Sequence, residues 1–194
     1  SGHTGFKGSW LTIWLLKLGA KVYGLSKDRR TEPSMFVELG LKNRINHYDK
    51  DIKDLAAVKR IIEEIKPDFI FHLAAQALVL TSFEKPLETF EINSLGTANI
   101  LDALRRTNHK CVAVWITSDK CYENVEQHHF YKESDKLAGL DTYSSSKGCA
   151  ELVTRSYQNS FLANEPNLHM GVATARAGNV IGGGDWATDR LVPD

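Results

Sequence analysis

Three glycines at regular spacing near the start of the chain constrain its fold more than any other feature. Gly2, Gly5 and Gly8 lie three residues apart and precede an apolar run at 10–18 that predicts a helix. Glycines at this spacing let the backbone approach a pyrophosphate, and a helix N-terminus supplies amide donors. A plain turn is the alternative for the glycines alone. Because a β-rich stretch follows at 21–25, the sequence favours the turn, helix and strand of a dinucleotide-binding unit.

Strand-like and helix-like segments alternate along the rest of the chain. Short β-rich runs predict strands at 44–48, 68–73, 112–116 and 169–176, and helical patterns predict helices at 54–66, 86–106 and 143–162. This alternation predicts an α/β fold with a Rossmann-like, doubly wound parallel sheet. A dinucleotide fold also needs a strand before its first glycine, so we expect that first strand to lie outside this sequence.

The charge and cysteine content excludes several classes of function. The 24 basic and 24 acidic residues cancel, which does not indicate a nucleic acid or a membrane surface as partner. No apolar run is long enough to cross a bilayer. The three cysteines, Cys111, Cys121 and Cys149, lack the spacing of metal ligands, so we expect free thiols in a reducing cytoplasm and no metal site.

Polar side chains follow the predicted strand at 112–116. Ser118, Asp119 and Lys120 bring a hydroxyl, a carboxylate and an amine to the carboxyl end of that strand. In an open α/β sheet, ligands bind at this edge. These three residues are therefore candidate catalytic residues.

A tyrosine and a lysine begin the helix that follows. Tyr143 and Lys147 are four residues apart, so they lie on one face of the helix, one turn apart. An ammonium group there stabilises a phenolate electrostatically. Such a tyrosine can take a proton from an alcohol while a hydride leaves the same carbon. Taken alone, the pair is more often an ordinary, half-exposed amphipathic pair.

Together these motifs resemble the extended short-chain dehydrogenase/reductase superfamily, in particular its nucleotide-sugar-modifying branch. The segments 2–10, 117–122 and 176–186 look most like those of the dehydratases that act on CDP-glucose. The resemblance implies an NAD-dependent hydro-lyase that converts CDP-glucose to CDP-4-keto-6-deoxyglucose. It also implies a cytoplasmic homodimer or higher homo-oligomer in deoxysugar biosynthesis for O-antigen or lipopolysaccharide. The alternatives are a 4-epimerase, a dehydratase of GDP- or dTDP-sugars, and a non-catalytic NAD-binding module.

The resemblance also implies a division of the chain. Residues 1–176 form the NAD-binding domain, and residues 177–194 begin a substrate-binding portion, most of which we expect to lie outside this sequence. The charged, histidine-rich segment 123–141 departs from the family pattern.

The roles of the catalytic candidates follow from the resemblance. Tyr143, assisted by Lys147 and Ser118, deprotonates the sugar 4-hydroxyl while NAD accepts the hydride from C4. Lys120 is the candidate base that removes the C5 hydrogen, and related enzymes acting on dTDP-glucose carry Glu at this position. Asp119 is the candidate acid that protonates the departing 6-hydroxyl.

The residues expected to bind the cofactor come from the glycine turn, three later strand ends and two helices. They are Gly2, Thr4, Gly5, Phe6, Lys7, Gly8, Asp28, Asp51, Ile52, Ala74, Ala75, Gln76, Asn93, Tyr143 and Lys147. Asp28 lies about 20 residues past the last glycine, where an acidic residue binds the ribose 2′-hydroxyl of NAD. Arg29 and Arg30 could accept a 2′-phosphate instead, and we favour NAD over NADP.

The remaining site residues rest on the resemblance alone. Asp51 and Ile52 would contact adenine, residues 74–76 would lie beneath the cofactor, and Asn93 would support the site from its helix. The residues assigned to the substrate are Ser118, Asn179 and Arg190.

Overall fold

The computed structural model describes residues 1–27, 31–107, 109–162 and 170–189. The strands are β1 (Tyr23–Ser26), β2 (Asn46–Asp49), β3 (Phe69–His72), β4 (Cys111–Ile116) and β5 (Met170–Ala175). The α-helices are α1 (Phe6–Lys17), α2 (Met35–Glu38), α3 (Leu55–Ile65), α4 (Val79–Glu84), α5 (Pro86–Phe90), α6 (Gly96–Leu104) and α7 (Thr142–Tyr157). Short 3₁₀ turns lie at Leu41–Asn43 and Asp119–Cys121, and π-helical turns lie at Glu91–Leu95 and Gln158–Leu162.

All described strand pairs are parallel. β1 pairs with β2 in one sheet, and a second sheet has the order β3, β4, β5. Each predicted strand is present, although the strand predicted at 44–48 begins two residues later, at Asn46. The predicted α/β fold with a parallel sheet is therefore confirmed. His169, at the start of the last predicted strand, lies outside the described residues.

An apolar groove of about 670 Å³ lies between the two sheets, lined by residues of α1, β1, α3 and β3. Ser1 is among the residues that line it. The Gly2 amide donates to the Leu25 carbonyl at 2.9 Å, the Ser1 amine donates to the Phe71 carbonyl at 2.8 Å, and the Leu73 amide donates to Ser1 at 3.2 Å. Ser1 and Gly2 therefore bridge β1 and β3.

Helix α3 shows how local sequence sets the packing. The Asp54 side chain caps its N-terminus by accepting from the Ala57 amide at 3.0 Å, and Lys66 ends it in the left-handed conformation just before Pro67. Its apolar stripe packs against α6 in a core that also includes β4. The buried members of this core are Ile52, Val58, Ile62, Ile100, Leu101, Ala103, Leu104, Cys111, Ala113 and Trp115.

The helix predicted at 86–106 is one helical run with a π-helical turn at Glu91–Leu95 in its middle, and it ends at Leu104. His72, at the end of β3, packs against this run. The His72 side chain is 4% exposed, and its Nε2 lies 3.1 Å from Thr97 Oγ1. His72 is therefore a hydrogen-bonded core histidine. Among the described residues, no helix has both the length and the apolar character needed to cross a bilayer.

Candidate active site

A cleft of about 690 Å³ lies at the carboxyl ends of β4 and β5. Its walls come from the start of α1, the segments after β3, β4 and β5, and the start of α7. Six of the predicted site residues line it: Phe6, Lys7, Ser118, Lys120, Tyr143 and Asn179. The structure thus brings the glycine turn, the polar residues after β4 and the tyrosine of α7 to one place.

The glycine turn has two positions that no larger residue fits. A Cβ atom on Gly8 would lie 2.1 Å from the Gly2 carbonyl oxygen, and one on Gly2 would lie 2.5 Å from the Ala74 amide nitrogen. Gly2 also has a φ of +73°, which glycine adopts without strain. Gly5 caps α1, so this helix begins at Phe6, four residues earlier than the apolar run predicted. The turn therefore presents its backbone and a helix N-terminus, as a pyrophosphate site requires.

Two side chains of the turn fasten it to the first sheet. Thr4 Oγ1 lies 2.7 Å from Ser26 Oγ, at the end of β1. The buried His3 ring shares a hydrogen bond of 2.8 Å with His47 of β2. A Cβ atom on Gly24 would lie 2.5 Å from the His3 ring, so β1 needs a glycine there. No local sequence pattern marks His3 for this role.

Asn93 joins the segment after β3 to the helix that carries Tyr143. Its Oδ1 accepts from the Gln76 amide at 2.8 Å, and its Nδ2 donates to the Gln76 carbonyl at 3.0 Å and to Ser146 Oγ at 2.8 Å. Ser146 in turn donates to the Tyr143 carbonyl at 2.7 Å. The side chain of Gln76 is 2% exposed and bonds Thr89 and Leu78, so it is held within the protein. These contacts support the predicted positioning role of Asn93.

The predicted adenine residues lie apart from the cleft. Asp51 follows β2, accepts from the Lys53 amide at 2.9 Å and pairs with Lys27 at 3.3 Å. Ile52 is 4% exposed and packs in the core. Neither lines the cleft, and their adenine contact stays a prediction. Asp28, Arg29 and Arg30, and the predicted substrate residue Arg190, lie outside the described residues.

Lys147 is buried behind Tyr143. Its side chain is 6% exposed, and Nζ lies 5.9 Å from the centroid of the Tyr143 ring. Burial, together with the positive charge of Lys7, lowers the pKa of Lys147 to about 8. The lysine is therefore a cation at neutral pH that loses its charge in mildly alkaline solution. Tyr143, itself 8% exposed, faces the cleft in front of it.

Ser118 organises the turn after β4. Its Oγ accepts from the Lys120 amide at 3.3 Å and donates to Asp119 Oδ1 at 3.0 Å. The Asp119 amide donates to the Ala177 carbonyl at 3.1 Å, which ties this turn to the segment after β5. Lys120 lines the cleft and is exposed, whereas Asp119 is exposed and does not line it. The three candidates are thus together, with the Asp119 carboxylate facing Ser118.

Two sets of contacts around the cleft were not predicted from the sequence. The first is a buried ion pair between Glu151 of α7 and Arg176 after β5, with Nη2 and Oε2 2.9 Å apart. The second is the indole of Trp10, which donates to the Gly183 carbonyl at 2.9 Å and so holds the segment after β5 over the start of α1. Glu151 follows Lys147 by one turn, and this spacing is the only sequence signal for the ion pair.

A glycine turn leading into a helix at the edge of a parallel sheet, facing a Tyr-x-x-x-Lys helix across a cleft, defines a dinucleotide-binding protein of the short-chain dehydrogenase/reductase class. The family model described as GDP-mannose 4,6 dehydratase matches residues 1–168. The chain therefore belongs to the GDP-mannose 4,6-dehydratase family.

The curated relatives of this chain are also nucleotide-sugar-modifying enzymes. The chain is 47% identical over 196 positions to CDP-glucose 4,6-dehydratase of Salmonella typhimurium, covering 100% of this chain and 55% of that protein. It is 29% identical to CDP-paratose 2-epimerase of Salmonella typhi, covering 97% of this chain and 58% of the relative. The chain thus spans a little more than half the length of these relatives. The resemblance to the CDP-glucose dehydratases is confirmed.

Solved structures share the fold. UDP-glucose 4-epimerase of Thermus thermophilus, in complex with NAD, has a TM-score of 0.81 at 26% identity, covering 97% of this chain and 57% of the epimerase. DesIV, a dTDP-glucose 4,6-dehydratase of Streptomyces venezuelae, has a TM-score of 0.82 at 22% identity, covering 99% of this chain and 58% of DesIV. The second likeness shows the fold alone.

Proposed function

We propose that this chain is the cofactor-binding part of an NAD-dependent CDP-glucose 4,6-dehydratase. The observation that carries the proposal is the 47% identity to the Salmonella typhimurium enzyme over the whole chain. The cleft supports it, because Tyr143 lines the same space as Ser118 and Lys120, with Lys147 buried behind the tyrosine. That arrangement provides groups for both an oxidation at C4 and an elimination across C5 and C6.

The glycine turn fits a dinucleotide. Gly2 and Gly8 allow close backbone packing that a Cβ atom would prevent, and this packing places the turn at the N-terminus of α1, whose free amides suit a pyrophosphate. The residues that would hold NAD here are those of the turn, residues 2–8, with Asn93 and residues 74–76 behind it. NAD, when bound, supplies the acceptor for a hydride and later returns it. The NAD complex of the Thermus thermophilus epimerase supports this assignment.

Tyr143 and Lys147 serve the oxidation in this proposal. Tyr143 removes the proton of the sugar 4-hydroxyl, and Ser118 Oγ provides a hydrogen bond to the same oxygen. The buried Lys147 ammonium stabilises the phenolate of Tyr143 that this proton transfer requires. Because Ser118 donates to Asp119 in this structure, it must release that carboxylate before it can donate to the sugar.

Lys120 and Asp119 serve the elimination. The ketone at C4 makes the C5 hydrogen acidic, and Lys120, in its neutral form, removes that proton. The C6 hydroxyl leaves as water after Asp119 gives it a proton, and bound NAD would supply the hydride that C6 then needs. The exposed position of Lys120 in the cleft supports the first role. Asp119 reaches the leaving group only if its carboxylate turns away from Ser118.

A 4-epimerase is the second candidate function, favoured by the Thermus thermophilus structure at 26% identity. It would use Tyr143 and Lys147 but has no need for Asp119 and Lys120 together. The two functions are distinguished by expressing the complete reading frame and following CDP-glucose by NMR. A 4-keto-6-deoxy product supports the dehydratase, and a product changed only in configuration at C4 supports the epimerase. If the protein binds NAD but leaves CDP-glucose unchanged, both enzyme functions are overturned and an NAD-binding module remains.

We also propose a homodimer or higher homo-oligomer. Large apolar side chains are exposed on the helices from α4 to α7: Leu80, Phe83, Leu87, Leu95 and Leu152, each more than half exposed. Paired helices from two copies would cover them. A cytoplasmic location and a role in deoxysugar biosynthesis for O-antigen or lipopolysaccharide remain proposals that rest on the family resemblance alone.

A further inference from the structure

A buried carboxylate that the proposed reaction does not use joins three parts of the site. Glu151 is 4% exposed and accepts hydrogen bonds from the hydroxyl groups of Thr117 and Thr174, the latter at 3.0 Å. It also accepts from Nε and Nη2 of Arg176, at 3.0 and 2.9 Å. Thr117 follows β4, whereas Thr174 and Arg176 lie at the end of β5. One carboxylate therefore ties the ends of two strands to α7.

Glu151 lies on the same face of α7 as the catalytic candidates. Tyr143, Lys147 and Glu151 follow one another at intervals of four residues, which places them on successive turns. The hydrogen bond from Thr117 thus fixes the beginning of the segment 117–122 relative to the helix that carries Tyr143. Neither Glu151 nor Arg176 lines the cleft, so both act through other residues.

Arg176 holds the other end of the same segment. Its guanidinium lies 4.7 Å from the centroid of the Tyr122 ring, and the Tyr122 ring stacks on Tyr131 at 4.7 Å. Its Nη1 donates to the Glu133 carbonyl at 3.2 Å, which ties the charged segment 123–141 to the same arginine. The turn from Ser118 to Cys121 is therefore held between Thr117, bound by Glu151, and Tyr122, stacked on Arg176.

The ion pair is charged and costly to break. Burial alone would raise the pKa of Glu151, but the hydrogen bonds from Arg176 and Thr117 outweigh it and hold that pKa below its ordinary value. Removing one partner would leave a buried charge unpaired, which is strongly destabilising. The single hydroxyl donors, Thr117 and Thr174, are therefore better points for substitution than the ion pair itself.

We propose that Glu151 and Arg176 are positioning residues that hold the turn of Ser118, Asp119 and Lys120 against the Tyr143 helix. The proposal rests on the dehydratase function given above. When the contacts of Glu151 and Arg176 with the turn are intact, the groups for oxidation and for elimination reach the same sugar ring. When these contacts are weakened, the groups on α7 keep their place while those of the turn shift. The rate of elimination then falls more than the rate of oxidation.

The experiment compares Thr117→Val with Thr174→Val in the complete reading frame. Each variant replaces one hydroxyl donor to Glu151 with a methyl group. Of the two threonines, only Thr117 borders the turn. We expect Thr117→Val to lower kcat for dehydration by about 10-fold or more, with KM for CDP-glucose changed by less than about 3-fold. C4 oxidation, followed by nicotinamide absorbance, should fall less than C5 exchange in deuterated water. Thr117→Ser should restore the wild-type rates, and Thr174→Val should resemble wild type.

Amide hydrogen exchange gives a readout that does not depend on turnover. The amides of Asp119, Lys120, Cys121 and Tyr122 are all hydrogen-bonded within or next to the turn. They should exchange faster in Thr117→Val than in Thr174→Val or Thr117→Ser. Equal exchange in the two valine variants, or equal losses of kcat, would overturn the positioning role. A wild-type protein that leaves CDP-glucose unchanged would overturn the dehydratase function, while the exchange comparison still decides the positioning role.

Discussion

The Nζ atom of Lys147 lies 5.9 Å from the centroid of the Tyr143 ring, with both side chains less than a tenth exposed. The lysine is thus held as a buried cation behind the residue proposed to accept the sugar proton. Its charge is sensitive to its surroundings, because burial and Lys7 together bring its pKa to about 8. This relationship makes the pH dependence of C4 oxidation a direct test of the site.

Substitution of Lys7 should change that pH dependence. Since the pKa of Lys147 is lowered, its charge is lost as the pH rises through about 8, and C4 oxidation should decline over the same range. Lys7→Met removes a positive charge that contributes to the lowering, so the alkaline decline should move to higher pH. Lys27→Met, which removes an exposed lysine paired with Asp51 away from the cleft, is the control and should leave the profile in place. A profile that does not move in Lys7→Met would contradict the coupling.

Two glycines should differ sharply when each is replaced by alanine. A Cβ atom at Gly8 would lie 2.1 Å from the Gly2 carbonyl oxygen, whereas one at Gly183 meets open space. Gly8→Ala should therefore distort the turn, reduce NAD affinity by about 10-fold or more and lower the free energy of unfolding by about 1–3 kcal/mol. Gly183→Ala should leave both near the wild-type values. Titration calorimetry and thermal unfolding measure the two effects, and similar behaviour of the two variants would refute the steric account.

The indole N–H of Trp10 should contribute to substrate binding through its one hydrogen bond. Trp10→Phe keeps an aromatic ring but removes the bond to the Gly183 carbonyl, which holds one wall of the cleft. A neutral hydrogen bond contributes about 1 kcal/mol, so KM for CDP-glucose should rise by about 5-fold. Trp14→Phe, one turn further along α1 and 64% exposed, is the matched control. An equal rise in both variants would show that the bond to Gly183 does not shape the cleft.

Local sequence patterns were enough to predict the strands and the helix face that carries Tyr143 and Lys147. The apolar run before Thr117 predicts β4, and the four-residue spacing of Tyr143 and Lys147 places both on one face of α7. Asp54 as a helix cap and Pro67 as a helix end mark the two ends of α3. Each of these signals depends on residues close together in the chain, so it can be recognised without knowledge of the tertiary contacts.

Other features depend on contacts that no local pattern contains. The start of α1 at Phe6 has a glycine cap with no side-chain hydrogen bond, so the usual polar cap signal is missing. The partner of Glu151 lies 25 residues later, and the partner of Trp10 lies 173 residues later. The bond between Ser118 and Asp119 is local, but the turn that contains it is also held by the distant Ala177 carbonyl, which accepts from the Asp119 amide. These contacts arise only when β4, β5 and α7 are packed together.

Different groups at one cleft or directly beside it serve oxidation and elimination in the proposed mechanism. General acid–base groups typically contribute about 10²–10⁴-fold to a rate, so the loss of one group should be plain. Tyr143→Phe removes the proposed proton acceptor for the 4-hydroxyl and should prevent hydride transfer itself. It serves as the reference for a block at the first step.

The decisive experiment is to mix Lys120→Met, made in the complete reading frame, with CDP-glucose and record nicotinamide absorbance and C5 exchange in deuterated water. We expect the absorbance of reduced nicotinamide to appear and persist, while C5 exchange falls by about 10²-fold or more. Normal C5 exchange in Lys120→Met would contradict this division of roles and make Lys120 a substrate-binding cation.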